Sequence, residues 1–280
     1  ETYTIIHPGY PDNEEEAVKK TCYIIGLRNY TTILSPDKIT EELSEIIWHQ
    51  DEPFKSTSII AQWSLFRTIH DHTMKVVLDG QGPDEFLGGY PPHLPFVLFD
   101  LLHERKILTF FYELVYALFR LSLPDIIIKT WFPALLPHLP ENIISYMDHQ
   151  GKNAISFINK KARDTCQKQK KDQNSRNINP GNIFWDLSFS SSLPMLLRYE
   201  DRNSMAHSVE SRIPFLNHEL GEYLLNIPSE WRLHKGYSKY ILRKSMEDII
   251  PDHVKMNRKK IGFSTPESEW FMGEYENWFT

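Results

Sequence analysis

The chain has 280 residues, a hydrophobic fraction of 41% and a formal net charge of −6. The hydrophobic fraction suits a globular core and excludes disorder of the whole chain, and the length allows one large domain or two small ones. The acidic balance argues against a broad nucleic-acid footprint, which needs a basic surface, but leaves room for a local basic pocket for phosphates.

Tyr3-Thr4-Ile5-Ile6 is rich in β-branched residues and predicts a strand. Asn13 to Ile25 predicts a helix, with Glu14, Glu15 and Glu16 in the first turn, where the helix dipole favours anions. Tyr30 to Leu34 predicts a second strand. Ser35-Pro36 then supplies an N-cap and a proline at the first helical position, for a helix running to about Ile47. Ser58 to His70 is a further helix. Lys75-Val76-Val77-Leu78 is a short apolar strand, expected to be buried on both faces. This alternation predicts an α/β fold with a parallel, doubly wound sheet, and such sheets bind ligands beyond the carboxyl ends of their strands. The chain opens at Glu1, without Met and inside a strand signal, so it is read as a fragment of a longer protein, with no signal peptide.

From Leu94 the pattern is helical. Ile107 to Leu123 is the most apolar stretch, but Glu113 and Arg120 interrupt it. A membrane span needs about 20 apolar residues with few charges, so a buried helix is expected instead. Pro124, Pro133, Pro137 and Pro140 divide the next stretch into short helices. Lys160 to Asn182, with Lys168, Lys170 and Lys171, reads as a solvated helix end and loop, or else as a basic binding arm. Helices resume over Leu193 to His207, Leu216 to Leu225 and Ser238 to Met246. The expected organisation is one domain, with residues 1–92 as its α/β nucleotide-binding part and 93–280 as a mainly helical part. Cys22 and Cys166 lie far apart, which fits a reducing cytoplasm and no disulfide framework.

The segment that carries chemistry is Asp79-Gly80-Gln81-Gly82-Pro83-Asp84-Glu85-Phe86-Leu87-Gly88-Gly89-Tyr90, which holds four of the chain's twelve glycines. Glycines directly after a strand let the backbone approach a ligand closely. Two adjacent carboxylates beside a phosphate-sized gap call for a cation between them, and Mg²⁺ takes one or two carboxylates plus phosphate oxygens. A tight turn with Asp84 or Glu85 capping the next helix is the alternative. His70-Asp71-His72 has poor metal-ligand spacing, because residues two apart on a helix point to different sides. Trp270, Phe271 and Trp278 read as packing residues.

This segment resembles the S-G-E-G-A-D-E-L-F-G-G-Y block of glutamine-dependent asparagine synthetases. Three further stretches agree in order: Leu193 to Ala206 with Val209 to Leu216, then Lys239-Tyr240-Ile241-Leu242-Arg243, then Arg258, Lys260, Gly262 and Phe263. Trp48-His49-Gln50-Asp51-Glu52-Pro53 is also similar to a stretch of bacterial members.

The resemblance implies a nucleotide-binding fold of the adenine-nucleotide α-hydrolase (ATP pyrophosphatase) type, truncated at its N-terminus. It also implies a two-step reaction using ATP and Mg²⁺. A carboxylate, aspartate in the family, is adenylated with release of pyrophosphate. Ammonia from a glutaminase domain expected upstream then displaces AMP. Carried over, Lys239 stabilises the phosphate charge and Asp84 is the metal ligand. Asp79, Gly80, Gly82, Asp84 and Glu85 line the nucleotide pocket. Asp201, Arg202 and Glu210 approach the acidic substrate, with structural ion pairs among Asp201, Arg202 and Arg212 as the other reading. Gln81 stands where the family carries Glu, and Asp79 where it carries Ser. A Gln cannot act as a base but can orient an amine by hydrogen bonding. The family's S-G-G-x-D-S pyrophosphate loop and N-terminal Cys nucleophile are not in this sequence, so this stretch alone is expected to bind ATP weakly and to be inactive. A related ligase acting on another carboxylate, or a non-catalytic nucleotide- or partner-binding relative, remains open.

Overall fold

The structure is a computed structural model. It describes residues 1–10, 14–34, 36–54, 56–90, 93–120, 183–190, 192–258, 262–263, 265–267 and 270. The expectations at Ser35, at Pro124 to Pro140, at Lys160 to Asn182, and at Lys260, Phe271 and Trp278 lie outside these residues.

The first strand, β1 (Thr2–Ile6), pairs in parallel with β2 (Asn29–Ile33), from Thr2 opposite Asn29 to Ile6 opposite Ile33. The helix α1 (Glu15–Ile25) connects them and ends where Gly26 turns left-handed at φ 71°, its N–H reaching the Cys22 carbonyl. A left-handed residue there suits glycine, which has no Cβ to clash. Cys22 is a buried core residue of α1. Helices α2 (Pro36–Gln50) and α3 (Ser58–Asp71) follow.

A second parallel pair joins β3 (Val76–Leu78) to β4 (Glu210–Arg212), two strands far apart in sequence. Both parallel pairs lean on α3. Phe66 and Ile69 of α3 are buried with Val209, and Tyr3 of β1 and Val77 of β3 pack against them. Parallel pairing and helical cover agree with the α/β expectation, although the described strands form separate pairs and not one continuous sheet. The expectation that β3 is buried on both faces is corrected. Val76 is 38% and Leu78 75% exposed, because among the described residues β3 has one strand neighbour and is covered on its α3-facing side.

The predicted helical run from Leu94 is two helices, α5 (Leu94–His103) and α6 (Ile107–Arg120), after the short α4 (Pro83–Leu87). Arg105 breaks the run at φ 59°. Nor is α6 a fully buried helix. Phe110, Glu113 and Ala117 face inward at helical spacing, while Leu108 and Phe111 are exposed.

The remaining elements are α7 (Ile183–Phe189), α8 (Ser192–Ala206), α9 (His218–Asn226), a hairpin of β5 (Leu233–His234) and β6 (Tyr237–Ser238), α10 (Tyr240–Ser245) and α11 (Asp252–Lys255). The antiparallel hairpin has no counterpart in the sequence expectations, since two-residue strands carry no periodicity.

Three further buried clusters hold the elements together. Ile46, Ile59, Ala61 and Trp63 pack with Tyr199 and Ala206 of α8, and Trp270 joins them as a packing residue. Val97, Leu98, Leu101, Phe110, Phe184 and Leu233 bind α5 and α6 to α7 and the hairpin. Phe86 and Leu87 of α4 pack with Leu193, Leu224 and Ile227. Residues after 93 thus supply β4, the partner of β3, and share buried clusters with residues 1–92. Among the described residues no helix is long and apolar enough to cross a membrane.

Candidate active site

The glycine-rich segment begins where β3 ends. Asp79 N–H donates to the Arg212 carbonyl (2.9 Å), continuing the β3–β4 ladder by one bond. The chain then turns through Gly80 and Gln81 into α4, with Pro83 at its first position. Gly82 takes φ 103°, and a Cβ there would sit 2.4 Å from Leu216 Cδ2, so only glycine fits. α4 closes on the left-handed Gly88, with Gly89 N–H bonded to the Asp84 carbonyl (2.9 Å).

Successive residues on a helix point to different sides. The two carboxylates are thereby separated. Glu85 turns into the interior, 1% exposed, where Ser192 Oγ of α8 donates to its Oε1 (3.0 Å). Burial holds its pKa above the usual carboxylate range. Asp84 turns the other way and meets Lys239, Nζ to Oδ1 2.8 Å. The meeting point lies over Gly89, where an added Cβ would fall 1.7 Å from Asp84 Oδ1 and 2.5 Å from Lys239 Cε. Behind α4, His93 is buried, and burial lowers its pKa to about 4.

Lys239 is not on the face of a helix. It precedes α10 in a left-handed conformation (φ 55°), at the end of the β5–β6 hairpin. Two buried charges fix that hairpin. Glu113 of α6, fully buried, accepts from the N–H groups of Lys235 (2.7 Å) and Gly236 (2.9 Å) at its turn. Arg232, 4% exposed, donates to the carbonyls of Phe86, Ile227, Leu224 and Leu225, tying the base of the hairpin to α4 and α9. Burial lowers the Arg232 pKa, with Asp100 opposing that shift.

A second group gathers at the same end of β3. Glu200 lies on the buried stripe of α8 with Leu193, Asn203 and Ser204, and is 1% exposed. Ser211 of β4 donates to its Oε1. Burial first, then the charge of Asp79, push its pKa up to about 7, while Ser211 and Gln81 act in the opposite direction. Glu200 falls inside the Leu193 to Ala206 motif, which by itself does not single it out. The available signal was a glutamate seven residues after Leu193, in phase with the apolar stripe.

The expected substrate residues are at the surface. Asp201 and Arg202 are exposed, and Arg202 pairs with Asp51 (2.9 Å). Glu210 and Arg212 pair with each other on β4 (2.7 Å), both exposed. The Gln50-Asp51-Glu52 turn is instead a clamp on α8. Gln50 is fully buried and donates to Asn203 Oδ1 (2.8 Å), while Asn203 donates to the Ile59 carbonyl and Gln62 Oε1.

A sequence profile described as asparagine synthase matches residues 1–280. The chain belongs to the asparagine synthase family. It is similar to asparagine synthetase [glutamine-hydrolyzing] 1 of Bacillus subtilis, 26% identical over 285 residues, covering 95% of this chain and 42% of that protein. A putative asparagine synthetase [glutamine-hydrolyzing] of Mycobacterium tuberculosis is 27% identical over 280 residues, covering 91% and 39%. Amidase chry2 of Gibberella zeae is 22% identical over 293 residues, covering 96% and 44%. The chain thus spans about two fifths of the length of these asparagine synthetases. Asp84, the expected metal ligand, is paired with Lys239. Among the described residues no three His, Cys, Asp or Glu side chains converge as a complete metal site.

Proposed function

We propose that this chain is the synthetase part of an ATP-dependent amide ligase, with the Asp84–Lys239 pair at the phosphates of the nucleotide. The observation that carries the reading is that pair, held at 2.8 Å beside a glycine turn at the carboxyl end of a parallel strand. A carboxylate is a poor electrophile, and transfer to AMP makes its carbon reactive while releasing pyrophosphate. Charge concentrates on the phosphates in that step, and a fixed ammonium aimed at them lowers the barrier. Lys239 is that ammonium. Asp84 orients it and would hold a Mg²⁺ ion, which would supply charge neutralisation at the phosphates. Asp79, Gly80 and Gly82 line the nucleotide side, with Glu85 supporting α4 from behind. Gln81 orients the incoming amine, and Asp201, Arg202 and Glu210 serve the acidic substrate from the rim.

The two parallel strand pairs on α3 are parts of one doubly wound sheet in the whole protein, completed by a strand and pyrophosphate loop upstream. The amine is ammonia from a glutaminase domain of the same protein, the acceptor is aspartate, and the setting is the cytoplasm. A second reading of the acceptor, a different carboxylate, is favoured by Gln81 and by the similarity to proteins named amidases.

The test is ATP–pyrophosphate exchange by the full-length protein with a panel of carboxylates that includes L-aspartate. Exchange with one of them is expected. Exchange with none sinks the proposal, and exchange with another carboxylate but not aspartate selects the second reading.

A further inference from the structure

One buried side chain touches both of the elements that bring Asp84 to Lys239. Arg232 lies in the chain between α9 and the β5–β6 hairpin and is 4% exposed. Its Nε donates to the Phe86 carbonyl (3.2 Å), Nη1 to that of Ile227 (2.8 Å), and Nη2 to those of Leu224 and Leu225 (2.9 Å each). Phe86 belongs to the last turn of α4, the helix that carries Asp84. Leu224 and Leu225 belong to the last turn of α9, and Ile227 follows it directly. The last carbonyls of a helix have no partner within it and carry the negative end of its dipole. A single guanidinium therefore caps two helices at once. The Phe184 ring of α7 lies under it, with its centroid 4.7 Å from Cζ. The backbone of the same residue reaches the other partner. The Arg232 carbonyl accepts from the N–H of Tyr240 (3.2 Å), the residue that follows Lys239.

We infer that Arg232 is a positioning residue for the pyrophosphate-releasing step: its side chain fixes the helix that carries Asp84, its carbonyl fixes the residue next to Lys239, and it thereby sets the separation of the pair. This rests on the amide-ligase reading above. The hydrogen bonds of Arg232 go to neither Asp84 nor Lys239, so it acts through them.

The anchoring matters because Lys239 is left-handed (φ 55°), a conformation that a residue with a Cβ keeps only where its surroundings hold it. The bond from Tyr240 N–H to Arg232 is one such hold. With it released, the chain at Lys239 relaxes toward commoner conformations and carries the ammonium away from Asp84. A guanidinium suits the task for two reasons. It keeps its charge although burial lowers its pKa. Its planar fork also directs several donors at fixed angles. A lysine has three donors on one nitrogen, so at least one of the four carbonyls would lose its partner, and burial drives an ammonium toward its neutral form.

The test is a double-mutant cycle read by ATP–pyrophosphate exchange in the full-length protein, with L-aspartate, or with the panel carboxylate that supports exchange if aspartate does not. Arg232→Lys, Lys239→Ala and the two combined are compared with the parent, under conditions where circular dichroism shows all of them folded. Arg232→Lys alone should lower kcat by about 10–10²-fold, the scale of an ångström-sized misplacement, with KM for ATP little changed. Added to Lys239→Ala it should cost little further, because the pair whose separation it sets no longer exists. A purely architectural arginine would lose the same factor in both backgrounds. That result overturns the inference, as does an unchanged kcat in Arg232→Lys alone. Absence of exchange in the parent overturns the ligase reading instead. Should Arg232→Lys fail to fold, Phe184→Leu takes its place in the cycle. It removes the ring beneath the guanidinium, keeps an apolar side chain, and should show the same dependence on Lys239 with a smaller loss.

Discussion

Asp84 Oδ1 lies 2.8 Å from Lys239 Nζ, and the two meet in the space that Gly89 leaves by having no side chain. The contact joins α4, which follows a strand early in the chain, to a hairpin near its end. It depends on three separate features: the closure of α4 at Gly88, the missing Cβ of Gly89, and the left-handed conformation of Lys239.

Lys239→Ala should lower the rate of pyrophosphate exchange by roughly 10²–10³-fold, the range seen when one fixed donor to developing charge is removed. Lys239→Arg should not restore it, because a planar guanidinium does not occupy the volume of a compact ammonium over Gly89. Exchange kinetics at saturating ATP check both.

Gly89→Ala places a methyl group on the ion pair. Overpacking of this kind costs about 1–3 kcal/mol. A lower midpoint in urea unfolding is expected, together with loss of exchange comparable to that of Lys239→Ala. Gly80→Ala is the control, since a Cβ there meets nothing within 4 Å. Its unfolding midpoint should stay near that of the parent.

Glu113→Ala leaves the N–H groups of Lys235 and Gly236 without their acceptor, at about 1–3 kcal/mol for the buried group. The hairpin should loosen, and kcat for exchange should fall more than KM for ATP rises. Glu113→Gln keeps an acceptor oxygen and should recover much of both stability and rate.

Stability should vary with pH in opposite senses at two buried groups. His93 titrates near 4 when folded and at about 6.5 when unfolded, so its contribution is present above pH 6.5 and is lost as pH falls toward 4. His93→Phe should flatten that limb by up to ~3 kcal/mol. Glu200 is shifted upward, so its contribution is present below about pH 4.5 and is lost as pH rises through about 7. Glu200→Gln should therefore gain stability relative to the parent at pH 8 and not at pH 4. Urea unfolding across pH 4–8 measures each slope.

Much of the first half of the chain was legible in its sequence. β1, α1, β2 and α3 fall within one or two residues of the expected spans, because β-branched runs, acidic first turns and helical apolar spacing are local signals. The break between α5 and α6 and the open outer face of α6 were not. Apolar composition says that a helix forms, whereas its exposure is decided by what packs against it. Asp84 and Lys239 were both named from their motifs, but nothing in either motif says that they touch.

The sequence by itself determined the family blocks, the glycine turn after β3 and the residue types available for phosphate chemistry. Only the tertiary structure decided which of them meet. It turned Glu85 inward to Ser192, set Asp201, Arg202 and Glu210 on the surface, and brought Glu200 to Ser211. The physical reason is that a motif specifies order along one strand or helix, while contact between side chains on different elements follows from how β4 pairs with β3 and how α8 packs over that pair. Those are long-range events, driven by burial of Leu193, Phe66, Ile69 and Val209.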